Sequence, residues 1–127
     1  MKLLLDTHVF LWSQSDPKRL SKAERDAIGD PRNSILLSAA TAWEIEIKRQ
    51  LGKLDVPIDW MERASGFGIQ WLDVRPDHVR ALRDLPPIHR DPFDRILVVQ
   101  SFVENARLLS HDPLVLRYLA NTPQLFQ

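Results

Sequence analysis

The opening stretch MKLLLDTHVFLW, residues 1–12, predicts a buried strand that ends at an acidic residue and leads directly into a helix. Leu3, Leu4 and Leu5 form a continuous apolar run, without the polar and apolar alternation of a half-exposed antiparallel strand. Such a run is typical of a parallel strand that is covered on both faces. The run ILL at residues 35–37 repeats the pattern, and we therefore predict an α/β sandwich.

The rest of the chain alternates short apolar segments with helical patterns. The predicted strands cover residues 2–5, 34–37, 69–74 and 107–109. The predicted helices cover residues 8–14, 21–29, 40–51, 58–65, 76–84, 92–105 and 113–120. The helix around Ile96 is apolar on too many sides for a surface helix, which predicts either a central position or a dimer contact.

Capping patterns mark several of these helix boundaries. Ser21 with Glu24 has the S-x-x-E spacing of a capping box, and Thr41 with Glu44 has the equivalent T-x-x-E spacing. Asp91 precedes a proline, as Asp112 also does, which predicts a helix that begins with an aspartate cap.

Composition limits the possible classes of protein. A chain of 127 residues suits one domain over residues 1–127. The chain contains no cysteine, which excludes disulfides and thiolate-bound metals and favours a cytoplasmic protein. Asp6 interrupts the first apolar run too early for a signal peptide or a membrane span, so we expect no membrane contact. Lys plus Arg equals Asp plus Glu at 17 each, so nucleic-acid binding would have to be local.

Four acids stand where an apolar strand-like segment or its connection gives way to a helix: Asp6, Glu44, Asp94 and Asp112. The carboxyl ends of strands in an open α/β sheet face the binding crevice, so these acids can converge at one edge. Converging carboxylates repel one another and must take up protons or bind a cation. Each acid, taken singly, also has a capping explanation. Their joint placement favours a site for a hard divalent metal.

Other polar and aromatic residues give weaker indications. The histidines lack the spacing of zinc scaffolds, so we predict at most a supporting role for His8 and His111. The tryptophans could stack on bases, but large aromatics at helix and strand positions favour a core assignment. These tryptophans are Trp12, Trp43, Trp60 and Trp71. A run of arginines predicts either a basic rim or a solvated helix face. The run comprises Arg75, Arg80, Arg83, Arg90 and Arg95.

Four ordered motifs resemble the PIN-domain ribonucleases, especially the VapC-type toxins of bacterial toxin-antitoxin modules. The motifs are LLLDTHVFLW, SAATAWEIEIK, HRDPFDRILVVQ and LLSHDP, and the resemblance runs from residue 2 to about residue 116. It implies a three-layer α/β/α sandwich around a short parallel sheet. It also implies a metal-dependent endoribonuclease, often dimeric, whose groove is covered by a small antitoxin protein.

The resemblance assigns roles to individual residues. Asp6, Glu44, Asp94 and Asp112 correspond to the four catalytic acids, and Asp91 is the neighbouring helix cap. Of these acids, Asp6, Asp94 and Asp112 are expected to hold Mg²⁺ or Mn²⁺, while Glu44 completes the ring as a ligand or orients the attacking water.

Supporting roles fall to residues beside these acids. Ser110 holds a position that is usually threonine in the family and keeps a hydroxyl there, and Thr7 directly follows Asp6. We expect both hydroxyls to support the acids by hydrogen bonding. Lys48, Arg90 and Arg95 are the candidates for contact with the RNA backbone.

Three alternatives remain at the level of sequence. A receiver-type signalling domain shares the length and an acidic magnesium pocket, but Asp6 has no adjacent acid and no lysine follows Lys53. A PIN-fold module that binds RNA or a partner without cleaving would be expected to lack some of the acids. A relative of the DNA 5′-nucleases would normally need a longer chain.

Overall fold

Four parallel strands form the sheet of the computed structural model, which describes residues 1–121. Residues 122–127, part of the predicted domain, lie outside the described residues. The strands are β1 (Lys2–Leu5), β2 (Ser34–Ser38), β3 (Gln70–Leu72) and β4 (Arg107–Leu109). The helices are α1 (Thr7–Ser15), α2 (Lys22–Gly29), α3 (Ala39–Gln50), α4 (Trp60–Gly66), α5 (Pro76–Ala81), α6 (Pro92–Val103) and α7 (Pro113–Asn121). Short 3₁₀ turns cover Pro17–Arg19 and Leu82–Asp84.

Strand β1 lies inside the sheet, whose order is β3-β2-β1-β4. It pairs with β2 through Leu3 opposite Ile35, and with β4 through Leu5 opposite Leu109. Because all the strands are parallel, their carboxyl ends meet at one edge of the sheet. The acids that follow β1 and β4 are therefore delivered to the same place.

Side chains from successive strand positions enter two separate cores. Leu4 and Leu36 belong to one core, together with residues of α6 and α7. Leu3 and Leu5 belong to the other, together with residues of α1 and α4. Continuous apolar strands are needed because helices cover both faces of the sheet. The predicted α/β/α sandwich is confirmed.

Helix α6 is central to the first core. Every residue from Ile96 to Ser101 is buried, and the helix contacts α3, α5, α7 and β4. Packing within one chain therefore accounts for its apolar character. Its end is set by Asn105, which adopts a positive φ of 52° and lets the N–H of Ala106 donate to the carbonyl of Ser101 at 2.9 Å.

The predicted capping box of Thr41 and Glu44 is wrong. Helix α3 begins directly after β2, and the Ser38 hydroxyl caps it by accepting from the N–H of Ala40 at 3.0 Å. Thr41 and Glu44 therefore lie within the helix, and both are buried. The earlier start releases the Glu44 carboxylate from capping and lets it point toward the carboxyl end of β1.

Other predicted boundaries hold with small shifts. Ser21 and Glu24 form the predicted capping box of α2, and Asp91 caps α6 through the N–H groups of Phe93 and Asp94. The single predicted helix over 76–84 is divided into α5 and a 3₁₀ turn. Within residues 1–121, no helix combines the length and apolar character that crossing a membrane requires.

The core assignment of the tryptophans is only partly correct. Trp60 is buried in the second core, where its ring lies 5.7 Å from that of Phe10. Trp43, by contrast, is 65% exposed, and Trp71 is also exposed. Trp43 lies on the exposed side of α3, whereas the next residue, Glu44, is buried. Trp12 is half-buried at the surface of α1.

Candidate metal centre

Asp6 lies at the carboxyl end of β1 and is 4% exposed. Its Oδ1 atom accepts a hydrogen bond from the N–H of Val9 at 2.8 Å, so it caps α1 as well as facing the sheet edge. Burial raises the pKa of Asp6, although hydrogen bonds from Ser110 and from the Val9 N–H oppose that shift. The supporting role of Ser110 stays a prediction.

Glu44 is hydrogen-bonded to Thr7, the residue that follows Asp6. The Thr7 hydroxyl donates to Glu44 Oε1 at 2.5 Å, while Lys48 Nζ donates to Glu44 Oε2 at 2.9 Å. Glu44 is buried, so these two partners satisfy a carboxylate that burial would otherwise penalise. The result is a carboxylate held in place by Lys48 and by Thr7, the residue that follows Asp6.

Asp94 and Asp112 meet on either side of one imidazole. His89 Nε2 lies 3.1 Å from Asp94 Oδ2 and 3.1 Å from Asp112 Oδ2. The N–H of Asp91 donates to His89 Nδ1 at 3.1 Å, so in this arrangement the ring proton is on Nε2. A single N–H cannot fully satisfy two carboxylates, and the pair therefore retains capacity for a cation.

Of the four predicted acids, Asp94 has the largest rise in pKa. Burial, reinforced by repulsion from Asp91, raises the pKa of Asp94 to about 7. Repulsion from Asp112 and Glu44 contributes further, while His89 partly offsets it. These interactions place Asp94, Asp112 and Glu44 within one electrostatic neighbourhood, as the sequence predicts.

Asp112 is held by its backbone surroundings. Its N–H donates to the Ser110 hydroxyl at 3.1 Å, and its Oδ1 accepts from the N–H of Leu114 at 2.8 Å. Burial acts to raise the pKa of Asp112, but hydrogen bonds from His89 and from the N–H groups of Leu114 and Val115 outweigh it and lower that pKa. Capping and site membership are thus combined in one residue.

The donor set fits a hard divalent cation. Ligand atoms of His89, Asp94 and Asp112 all lie within 4.8 Å of one another. Asp6 follows β1 at the same edge of the sheet, but among the described residues it is not a member of this group of three. Carboxylate oxygens are the ligands that Mg²⁺ and Mn²⁺ favour, and a bound cation would favour the ionised form of Asp94, which burial and repulsion now disfavour.

His89 was missed by the sequence analysis, which considered only His8 and His111 for a supporting role. Its position could have identified it, because His89 begins the HRDPFDR motif and is five residues before Asp94. The bend before α6 returns its ring to the Asp91 N–H. His111 is instead bound to Glu24, with its Nε2 atom 2.8 Å from Oε2.

The three cations predicted to contact RNA have different environments. Lys48 is paired with Glu44 inside the site. Arg90 is exposed and lies in the chain segment before α6. Arg95 is turned inward, where it donates to the carbonyls of Pro86 and His89 and to the Tyr118 hydroxyl. Its prediction as an RNA contact is corrected, because its guanidinium holds the loop before α6.

A second group of titratable residues lies between α5 and α6. His78 Nε2 is 2.9 Å from Glu104 Oε2, and Arg75 donates to Glu104 and to Asp77. Arg75 of the predicted basic rim is therefore engaged in ion pairs, although it is exposed like Arg80 and Arg83. Hydrogen bonds, first from His78 and then from Arg75, lower the pKa of Glu104.

Comparison with known proteins relates the chain to a family. The family model of the PIN domain matches residues 3–118. The chain is 64% identical over 33 residues, 26% of its length, to Ribonuclease VapC16 of Mycobacterium tuberculosis (strain ATCC 25618 / H37Rv). That segment spans only 23% of the relative's own length.

A solved structure shares the fold. It is the crystal structure of VapBC2 from Rickettsia felis bound to a DNA fragment from their promoter, and the matched chain gives a TM-score of 0.66 at 14% identity. The match covers 97% of this chain and 95% of that chain. Because the family model matches nearly the whole chain, the receiver alternative is excluded, and this protein belongs to the PIN-domain family.

Proposed function

We propose that this chain is a divalent-metal-dependent endoribonuclease and the toxin of a VapC-type toxin-antitoxin pair. The main support is the convergence of Asp94 and Asp112 on the His89 imidazole, where burial, with added repulsion from neighbouring carboxylates, raises the pKa of Asp94 to about 7. Membership of the PIN-domain family and the local likeness to a protein named a ribonuclease point to the same class.

In this proposal Asp6, Asp94 and Asp112 hold Mg²⁺ or Mn²⁺. When bound, the ion acts as a Lewis acid that lowers the pKa of a water molecule and offsets charge on the phosphodiester. Glu44 is fixed by Thr7 and Lys48, and its carboxylate orients the attacking water. His89 holds the carboxylates of Asp94 and Asp112 at their observed separation, with its ring fixed by the Asp91 N–H.

Lys48 and the exposed Arg90 are the proposed contacts to the RNA backbone. Both lie close to the acids in space or in sequence. Their charges would position phosphate groups without reading sequence, so they set affinity rather than cleavage site.

The decisive experiment measures cleavage of single-stranded RNA by the purified protein with Mg²⁺, with Mn²⁺ and with EDTA. We expect metal-dependent cleavage that Asp94→Asn lowers by about a thousandfold, which equals about 4 kcal/mol of barrier. Asp77→Asn is the matched control, because Asp77 is an exposed acid of the other titratable group. Equal activity of Asp6→Asn, Asp94→Asn and the unaltered chain would contradict the site. Binding of RNA without cleavage would favour the non-cleaving PIN module.

We also propose a small antitoxin protein as partner, with both proteins in the cytoplasm. Support comes from the shared fold with a chain of the VapBC2 complex. Expression of this chain alone in bacteria should arrest growth, and coexpression of a small protein encoded beside it should restore growth. Unaffected growth in the first arm would count against the toxin role but not against RNA cleavage in vitro.

A homodimer is the remaining part of the proposal. The exposed Trp43 contacts Phe93 edge to face, with ring centroids 5.3 Å apart, and this apolar pair extends the surface of α3 and α6. Sedimentation at several concentrations tests it, and Trp43→Ser should shift the protein toward the monomer. A monomer at all concentrations of the unaltered chain would rule the dimer out.

A further inference from the structure

Aromatic and cationic side chains gather on the surface beside Asp6. We call His8, Trp12, Arg19 and His111 the aromatic patch. The rings of His8 and Trp12 are 5.8 Å apart and tilted by 36°, and those of Trp12 and His111 are 5.1 Å apart in an edge contact. Arg19 Cζ lies 4.8 Å from the Trp12 ring centroid. His8, Arg19 and His111 are exposed, so the patch offers both ring surface and positive charge to solvent.

The patch is assembled from three parts of the fold. His8 and Trp12 are one turn apart on α1, Arg19 ends the 3₁₀ turn that follows, and His111 lies in the connection from β4 to α7. Glu24 fixes His111, whose Nε2 is 2.9 Å from Oε1 and 2.8 Å from Oε2. The rings are therefore held in place before any ligand arrives, which reduces the entropy lost on binding.

The patch adjoins the acidic site on the side of β1 and β4. His8 is two residues after Asp6, in the first turn of the helix that Asp6 caps. His111 directly precedes Asp112. The imidazoles of both histidines interact electrostatically with the Asp6 carboxylate. A polynucleotide whose phosphate lies at the acids would therefore place a neighbouring nucleotide against the patch.

We propose that the aromatic patch is a subsite for one unpaired nucleotide of the RNA substrate, beside the phosphodiester that is cleaved. The base stacks on His8, with Trp12 behind it, and Arg19 contacts the adjoining phosphate. This inference rests on the proposed function for the identity of the polymer. Stacking on aromatic rings and contact with arginine are the general means by which proteins bind single strands.

Stacking requires an unpaired base, and this requirement gives the subsite a definite selectivity. A base within a duplex has both faces covered by its neighbours and cannot reach His8 or Trp12. The patch should therefore strengthen the binding of single-stranded RNA and leave the binding of duplex RNA of the same sequence unchanged. Patch residues that only pack α1 against the β4–α7 connection would make no such distinction.

The test measures the affinity of a labelled single-stranded RNA oligonucleotide by fluorescence anisotropy, in an Asp94→Asn background that prevents cleavage. Loss of one stacked base is worth about tenfold in affinity. We expect His8→Ala with Trp12→Leu to raise Kd for single-stranded RNA by about that factor. Arg19→Gln should raise Kd by about threefold and reduce the slope of log K against log salt by about 0.7, as for the loss of one phosphate contact.

Matched controls come from exposed residues outside the patch. Phe67→Ala removes a ring that is 74% exposed, and Arg32→Gln removes an exposed cation that is paired with Asp30. Both should leave Kd unchanged. Thermal unfolding identifies any variant that fails to fold. If Trp12→Leu does, His8→Ala carries the test alone, because His8 is exposed.

The possible outcomes separate this inference from the proposed function. Unchanged Kd in folded patch variants overturns the subsite, even when the unaltered chain cleaves RNA. An equal loss of affinity for single-stranded and duplex RNA also overturns it, because stacking would not explain that result. Patch-dependent RNA binding by a chain that cleaves with neither Mg²⁺ nor Mn²⁺ supports the subsite and rejects the nuclease.

Discussion

Two histidines of this protein are held in the same way but lie in opposite electrostatic surroundings. His89 and His78 each accept a backbone N–H on Nδ1, from Asp91 at 3.1 Å and from Arg75 at 3.0 Å. Each presents Nε2 to carboxylates. We refer to the groups around them as the His89 cluster, with Asp94 and Asp112, and the His78 cluster, with Arg75, Asp77 and Glu104.

The difference lies in the supply of positive charge. In the His78 cluster the Arg75 guanidinium contacts both acids, and hydrogen bonds with it lower the pKa of Asp77. In the His89 cluster two carboxylates share one imidazole N–H, and burial with further repulsion raises the pKa of Asp94. Both clusters have donor atoms close enough for a metal. Charge balance, rather than geometry, distinguishes a structural tie from a site that needs a cation.

The largest expected effect is on RNA cleavage. Asp112→Asn should lower kcat/KM by about a hundredfold or more, since it removes a charge that the metal site requires, and that factor equals about 2.7 kcal/mol. Glu104→Gln makes the same chemical change in the His78 cluster and should alter kcat/KM by less than about twofold. A comparable loss in both variants would show that the two clusters do not differ in function.

The effects on the free energy of unfolding should have the opposite order, with a larger loss for Glu104→Gln than for Asp112→Asn. Glu104→Gln leaves the buried His78 without an ionised acceptor and removes one of the two carboxylates that pair with Arg75, which should cost about 1–3 kcal/mol of unfolding free energy at pH 7. Asp112→Asn should cost less, because the amide oxygen can still accept from Leu114. Urea denaturation of both variants measures the difference. A larger loss for Asp112→Asn would reverse the structural assignment.

The pH dependence of stability provides a sharper comparison. The folded-state pKa of Asp94 is raised to about 7, so its contribution is present below pH 4 and is lost as pH rises toward 7. In metal-free protein at pH 8, Asp94→Asn should therefore increase stability by about 1–2 kcal/mol, a gain that disappears near pH 4.

The sign for Glu104 is the reverse. Its pKa is lowered in the folded state, so its contribution is present above the unfolded pKa and is lost as pH falls below that value. The cost of Glu104→Gln should accordingly shrink in acid. Parallel pH profiles for Asp94→Asn and Glu104→Gln, measured by urea denaturation in EDTA, would contradict the proposed charge balance.

The smallest expected effect is stabilisation by metal. Mg²⁺ or Mn²⁺ at about ten times its Kd should stabilise the unaltered chain by about 1.4 kcal/mol at pH 8. The gain should shrink at pH 5.5, where a proton competes for Asp94, and should be much reduced in Asp94→Asn. Glu104→Gln should retain it. Thermal unfolding with and without metal measures this gain. Equal shifts of Tm in all three proteins would indicate that the metal binds elsewhere.

Local patterns in the sequence were sufficient to predict the fold class. Continuous leucine runs require cover on both faces, and an aspartate followed by proline is a frequent start of a helix. Asp91 and Asp112 accordingly cap α6 and α7 as predicted. The prediction of a capping box at Thr41 was wrong, because the same spacing to Glu44 also occurs inside a helix that Ser38 has already begun.

The sequence by itself determined which acids stand at strand ends, because the side-chain order along each strand and helix is local. Only the tertiary structure decided which charged residues surround these acids. The arginine run was one pattern in the sequence, but folding turned Arg95 inward and paired Arg75 with Glu104. His89 joined the site for the same reason. Pairing of charges over long sequence separations depends on packing between elements, and it is this pairing that brings Asp94 and Asp112 to the same imidazole of His89.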